Sequence, residues 1–288
     1  MLKLRPAGDK SWPIACSHTT LGAATKELDL SGAHLSYGDF EDATFQGTGV
    51  IKLDGAGLAH ADLSGSTISA EGKPAQTIDF RGANLTDADL SGSKLTAESD
   101  SGERGGTGDS LIDFTGADLA NADLRGSKFT AKIGSYDEEG EATIDFTEAN
   151  LAHADLSGSK LKAEAERGNA VIDFTKATLA HADLSDSKLS ADGGWYATID
   201  FNEANLAYAD LSGSEVTTDG KHGATTATIG FKKANLANAD LSGSDLEAEG
   251  MEATIDFVEA NLARGRGRVY GNCPLAQPAV CARRPRLT

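Results

Sequence analysis

A spacing of five residues dominates this chain. Phe80, Leu85, Leu90 and Leu95 stand five apart, and so do Phe146, Leu151, Leu156 and Leu161. Two positions ahead of each centre stands a small or apolar residue, as in Ile78, Ala83, Ala88 and Ser93. A period of five fits neither the 3.6 of a helix nor the 2 of an uninterrupted strand. Locally, however, the centre and the residue two before it share a face, and the residue between opposes them, which is strand alternation. Short extended segments, each ended by a corner, satisfy both facts. Four such segments close a square coil, with the centre and the small residue pointing inward and the other three positions outward.

The segment from Ile78 to Leu95 returns nearly unchanged around Phe114, Phe146, Phe174, Phe201 and Phe231. A shorter copy runs from Phe257 to Leu262, and degenerate copies start at Leu30 and Leu53, giving nine units with starts 23 to 34 residues apart. Self-similarity at this period marks a stacked architecture. After the fourth pentapeptide of a unit an insertion precedes the next Phe: Leu95 to Phe114 spans 19 residues and Leu161 to Phe174 spans 13. The insertions always fall at one corner. Their rims (Leu161-Lys162-Ala163-Glu164 on exit, Ala197-Thr198-Ile199-Asp200-Phe201 on entry) alternate apolar and polar. The fourth and first walls are therefore expected to run past the corner as strands. Tips rich in Gly and charge, at 99–108, 134–140 and 219–223, read as turns or mobile loops. The expected shape is a square prism with a fin along one edge.

The pattern Ala-(Asp/Asn)-Leu-X-X, carried by Ala83-Asn84-Leu85, Ala88-Asp89-Leu90, Ala149-Asn150-Leu151, Ala154-Asp155-Leu156 and Ala239-Asp240-Leu241, resembles the pentapeptide-repeat proteins. The resemblance covers about Leu28 to Leu262. It implies an all-β fold, a right-handed quadrilateral β-helix solenoid, here of about nine coils with loop or hairpin insertions along one edge. The division expected is an N-terminal segment or cap (1–27), the β-helix (28–262) and a basic, disordered tail (263–288). Some members of the family mimic duplex DNA and bind type II topoisomerases such as DNA gyrase, which makes a topoisomerase one partner the resemblance implies.

Stacked coils place like residues over like. Seven of the ten Phe (Phe80, Phe114, Phe146, Phe174, Phe201, Phe231 and Phe257) fall in one inner column, which explains how an aromatic content of 6% can suffice. Outward columns form as well. Asp62, Asp89, Asp123, Asp155, Asp183, Asp210 and Asp240 run down the third wall. Asp79, Asp113, Asp145, Asp173, Asp200 and Asp256 run down the first, interrupted by Gly230. Lys94, Lys128, Lys160 and Lys188 run down the fourth, before Glu215 and Asp245 reverse the sign. Like charges about 5 Å apart repel. The acidic columns are the candidate partner-binding residues.

Net charge excludes some functions. The chain carries −18, from 44 acidic and 26 basic residues. Six Arg and no acidic residue lie in 263–288, so 1–262 holds 20 basic against 44 acidic residues, or −24. Direct nucleic-acid binding by the repeat body is unfavourable at that charge. Spread over a rod of about 40 Å, it approaches the one charge per roughly 1.7 Å of duplex DNA. No apolar run approaches the roughly 18 residues of a membrane span, and a cytoplasmic protein is expected.

No nucleotide-loop, serine-hydrolase or zinc-protease motif occurs, and no enzyme activity, cofactor or metal site is expected. His60, His153 and His181 share a corner position, but the column continues as Tyr208 and Asn238, which reads as exposed corner residues rather than a metal site. Thr77, Thr143, Thr198, Thr228 and Thr254 form an outward column broken by Leu111 and Val171, so an ice- or surface-binding solenoid is a minor alternative. Beyond Ala263 the pentapeptide pattern gives way to Arg264-Gly265-Arg266-Gly267-Arg268, and no obvious cap follows, which leaves room for a homodimer through an end of the solenoid. The leading expectation is a non-enzymatic interaction or scaffold solenoid presenting acidic faces. The topoisomerase-binding DNA mimic is the first alternative.

Overall fold

The computed structural model describes residues 14–23, 26–72, 75–99, 108–134, 140–220 and 226–267. These residues form twenty strands and no helix. Every strand pairing is parallel, and the coils stack in sequence order. Two walls are sheets of nine strands each. One gathers the segments that enter at Phe, from Leu28–Asp29 to Glu252–Asp256. The other gathers the fourth segments, from Thr20–Gly22 to Asp245–Glu249. Nine strands in the first wall enclose eight full turns of a β-solenoid.

The other two walls are one residue pair wide. On the second wall His34, Gly57, Asn84, Asp118, Asn150, Thr178, Asn205, Asn235 and Asn261 bridge coil to coil. On the third the ladder runs from Ala15 through Asp39, Asp62 and Asp89 to Asp240. Below Asp240 it continues as Arg266, in the two-residue strand Arg266–Gly267.

The three corners without the insertion are built the same way. The backbone N–H three residues after the centre donates to the centre's carbonyl, as from Ala83 to Phe80 at 2.9 Å and from Ala88 to Leu85 at 3.0 Å. The residue between, two after the centre, lies in the left-handed region: Gly82 at φ 61°, Asp87 at 56°, Gly92 at 66°. That is the geometry a type II turn demands, and it explains the Gly in Leu-Ser-Gly-Ser. Where side chains occupy this position the cost is of order 1–2 kcal/mol per residue, so something must offset it. Part of the offset is local. The Asp or Asn just before each centre accepts the N–H just after it, as from Ser91 to Asp89 at 2.8 Å and from Thr86 to Asn84 at 3.0 Å.

Inside, the columns are continuous. Phe80, Phe114, Phe146, Phe174, Phe201, Phe231 and Phe257 stack with ring centroids 4.7–5.0 Å apart and planes within 5° of parallel. Since parallel rings at van der Waals contact lie closer than that, the stack is offset, the favoured arrangement. Phe129, standing where the adjoining coils have Leu95 and Leu161 in the fourth wall, meets Phe114 and Phe146 edge-on at 6.0 and 6.1 Å. A second column, Ile51, Ile78, Ile112, Ile144, Ile172, Ile199 and Ile229, is fully buried beside the Phe.

The fin is present as expected. Fourth-wall strands such as Lys160–Ala165 and first-wall strands such as Asn169–Asp173 extend beyond the square and pack face to face. Between them lie buried alanines: Ala97, Ala131, Ala163 and Ala191 in register on one side, Ala142, Ala170, Ala197 and Ala227 on the other. Small side chains let the two sheets close without a wedge. Further out the backbones of neighbouring coils in the first wall approach so nearly that only glycine fits. A Cβ on Gly168 would stand 1.9 Å from the Gly140 carbonyl oxygen. Of the tips expected at 99–108, 134–140 and 219–223, residues 100–107, 135–139 and 221–223 lie outside the described residues, as do residues 268–288 of the expected tail.

Candidate interaction faces

The third-wall acidic column is continuous. Asp62, Asp89, Asp123, Asp155, Asp183, Asp210 and Asp240 pair in unbroken register, all partly buried. The first-wall column pairs Asp79, Asp113, Asp145, Asp173 and Asp200 in register, then Gly230, then Asp256. So the structure brings together each of the two sets that the sequence groups.

Their chemistry is more constrained than an exposed acidic face. Ser64, Ser91, Ser157, Ser185, Ser212 and Ser242 each donate a backbone N–H to Oδ1 of the Asp two residues earlier, at 2.8–3.0 Å. Thr115, Thr147, Thr175 and Val258 do the same on the first wall, at 2.7–2.9 Å. One oxygen of each carboxylate therefore caps a corner. On the second wall Asn84, Asn150, Asn205 and Asn235 perform the same capping without charge. Charge is thus not needed for the cap, and Asp on the first and third walls adds a property that Asn would not.

Stacking those charges has a cost, and the chain offsets it unevenly. Burial raises the Asp113 carboxyl above its ordinary range, with help from the charges of Asp145 and Asp79. Burial does the same at Asp200, assisted by Asp173 and Asp256. At Asp79 burial opposes ionisation, but the fork from Arg81 (Nε to Oδ1 2.9 Å, Nη2 to Oδ2 2.6 Å) outweighs it and holds the carboxyl low. Arg81 also approaches Asp113 at 3.5 Å. On the third wall Arg125 forks onto Asp123, lowering it, and reaches toward Asp155 at 3.7 Å. Gly230 removes one carboxylate from the first-wall column beside Asp200.

Two ladders line the corners, one of them the His column that the sequence groups and the other a charged one that the repeat pattern did not single out. At the first-wall corner, left-handed Glu148, Lys176, Glu203, Lys233 and Glu259 alternate in sign. Lys176 approaches Glu148 at 3.5 Å and Lys233 approaches Glu203 at 3.9 Å. The alternation is readable in the sequence once the corner position is known. At the second-wall corner, His153 stacks on His181 at 4.9 Å and His181 on Tyr208 at 4.8 Å, while Tyr37 stacks on His60 at 4.6 Å. Parallel stacked imidazoles hold their nitrogen lone pairs in separate planes, so His153 and His181 do not converge on one ion. No group of three or more metal-ligating side chains is present among the described residues. The Thr column exists in register, with Thr198, Thr228 and Thr254 consecutive.

A parallel β-solenoid with one inward aliphatic or aromatic centre per wall defines a class of repeat protein. The model for pentapeptide repeats matches in eight copies, residues 78–97, 110–130 and 144–162 among them, and the chain belongs to that family. Among solved structures it is similar to HetL, a pentapeptide repeat protein involved in heterocyst differentiation regulation from the cyanobacterium Nostoc sp. strain PCC 7120. Identity is 20% over 88% of this chain and 92% of HetL, with a TM-score of 0.31. It is also similar to full-length QnrB1, a plasmid-mediated fluoroquinolone resistance protein, at 16% identity over 84% and 93% of the two chains and a TM-score of 0.25. No curated protein matches the chain in sequence. No helix among the described residues is long and apolar enough to cross a membrane.

Proposed function

We propose that this chain is a non-catalytic interaction module whose acidic third wall engages a protein partner. The observation that carries the reading is the unbroken third-wall column. At Asp89 and Asp183 one carboxylate oxygen is committed to the corner N–H and the second is left for an outside donor; at Asp155 the second oxygen faces Arg125 at 3.7 Å. Asn would cap as well, so the retained charge is available for recognition. A partner presenting Lys or Arg at the coil spacing would gain charge-assisted bonds. The repeat chemistry is consumed by packing and capping, which supports a role without catalysis.

A scaffold is favoured over a duplex mimic by the fin. It broadens the first and fourth walls to strands of five and six residues such as Asn169–Asp173 and Lys160–Ala165, so the rod departs from the girth of a plain square coil. The triple substitution Asp89→Asn, Asp155→Asn and Asp183→Asn tests the reading, because it keeps the caps and deletes three charges. The expected result is a partner cross-linked by the parent chain and lost by the variant, with an unchanged circular dichroism spectrum. Equal capture by both would reject the acidic face. A DNA gyrase supercoiling assay separates the topoisomerase alternative: inhibition by micromolar protein at low salt supports it, and no effect rejects it.

A further inference from the structure

Three of the four Lys in the fourth-wall column lack carboxylate partners among the described residues. Lys94, Lys128, Lys160 and Lys188 pair in register on consecutive coils and are exposed. Lys188 is held by Glu215 at 2.5 Å. Lys94, Lys128 and Lys160 form no ion pair among the described residues. Several cations elsewhere are engaged: Arg81, Arg125, Lys132, Lys162 and Lys176 each reach a carboxylate. Three ammonium groups about one coil spacing apart repel one another, so the free chain carries an unrelieved cost here.

The surface beside the column is open. The adjoining third-wall corners are Gly92, Gly126 and Gly158, all left-handed, and nothing lies within 4 Å of where their Cβ atoms would stand. An object laid along the rod axis at this edge meets no side chain at the left-handed corner position, the turn residues beside it being Ser91, Arg125 and Ser157.

We propose that Lys94, Lys128 and Lys160 form a seat for an acidic α-helix of a partner protein, lying parallel to the rod axis. The spacing selects this occupant. The three Lys sit at heights of about 0, 4.8 and 9.6 Å, taking one inter-strand spacing per coil. Carboxylates at helix positions i, i+3 and i+7 sit at about 0, 4.5 and 10.5 Å on one face, from a rise of 1.5 Å per residue. The mismatch stays under about 1 Å, well within the reach of a lysine side chain. Same-face carboxylates of an extended strand recur every roughly 6.8 Å and fall out of step by the second coil. The phosphates of a duplex wind away from a straight line. A second copy of the chain offers Asp at the matching spacing but brings a whole rod of net charge −18 with it. Glu215, where the column changes sign, ends the seat and fixes the register.

This surface is independent of the acidic-face reading, so the two can fail separately. The test uses the full chain and two hydrocarbon-stapled, fluorescein-labelled, Ala-based helices of equal composition. One carries Glu at i, i+3 and i+7; the other spreads the same Glu around the helix. Fluorescence anisotropy at low salt should give at least tenfold tighter binding for the patterned helix. The combined Lys128→Glu and Lys160→Glu variant should lose at least tenfold, and the Lys128→Gln variant a smaller part. All three Lys are exposed, so the variants' circular dichroism should match the parent's. Equal binding of the two helices overturns the proposal, as does undiminished binding by the charge-reversed variant. Preferential occupation of the same Lys by duplex DNA also overturns it.

Discussion

Asp173 offers the sharpest test of what the stacked carboxylates cost. It stands in register between Asp145 and Asp200 on the first wall, and its Oδ1 accepts the Thr175 N–H at 2.7 Å. The substitution Asp173→Asn keeps that acceptor, as Asn150 and Asn205 show on the neighbouring wall. What it removes is one charge between two others. At a coil spacing of about 4.8 Å, each like-charge contact costs roughly 0.9 kcal/mol in a water-like dielectric. A Debye length of about 8 Å reduces this to about 0.5 kcal/mol at physiological salt. Two neighbours therefore give a relief of about 1.7 kcal/mol at low salt and about 1 kcal/mol at physiological salt. Against this, a charge-assisted cap becomes a neutral one, a loss of about 1 kcal/mol.

The balance is net stabilisation of somewhat under 1 kcal/mol at 10 mM salt, falling to about zero at 150 mM. Urea unfolding at both ionic strengths measures it. The pH dependence supplies a second readout. Burial, with the charge of Asp173 contributing, raises the Asp200 carboxyl in the folded chain. A group raised in this way binds its proton more tightly folded than unfolded. Its favourable contribution is full below the unfolded value near 4 and is lost as pH rises through the folded value. The Asp173→Asn variant should therefore lose less stability than the parent between pH 4 and pH 7. A variant less stable than the parent at 10 mM salt, with an unaltered pH slope, would show that the charged cap outweighs column repulsion.

Three further outcomes follow from the packing. Phe174→Ala removes a ring stacked at 4.9 Å on both sides and should cost 3–5 kcal/mol in chemical denaturation; a cost under 1 kcal/mol would mean the column collapses to fill the gap. Ser159 buries its Oγ without a hydrogen-bond partner where the first three walls use Ile or Ala, so Ser159→Ala should be neutral or stabilising by up to about 1 kcal/mol, and a clear loss of melting temperature would contradict this. Gly168→Ala drives a Cβ to 1.9 Å from the Gly140 carbonyl oxygen and should open the fin locally, read as faster amide exchange at Asn169 and Ala170 with slow exchange kept at Phe174.

Much of this architecture is legible in the sequence because each coil repeats one solution. The centre, the small residue before it and the corner recur with little change. A five-residue period then places Phe146 over Phe114 and Asp155 over Asp123 without further information. The fin was legible from the alternation on the insertion rims, although its Ala interior was visible only once the two sheets were seen to face each other. What escaped the pattern lay at the corners. The first-wall corner position, filled by Gly in some coils and by Glu or Lys in others, looks like free variation. At this corner and the second-wall one the left-handed backbone gives the residues a common direction, so His153, His181 and Tyr208 stack and Glu148 meets Lys176. Periodicity groups the His column but carries no signal for backbone φ, so the ring stacking and the Glu–Lys pairing could not be read from spacing alone.

The Asp columns illustrate why regularity is a poor guide to function in such a rod. An Asp before each Leu is first a corner cap, and the Asn of the second wall shows that the cap alone does not require charge. Information about partners is therefore concentrated where a residue exceeds what the coil needs. Asp where Asn would serve is one such excess, at Asp89, Asp155 and Asp183. Unpaired Lys in a chain with 44 acidic residues is another, at Lys94, Lys128 and Lys160. The two excesses sit on adjoining walls, separated by a glycine corner, and carry opposite charge. A partner that read only one wall would be indifferent to substitutions on the other. A partner spanning the corner would couple them, so that the combined loss from Asp155→Asn and Lys160→Gln would differ from the sum of the single losses.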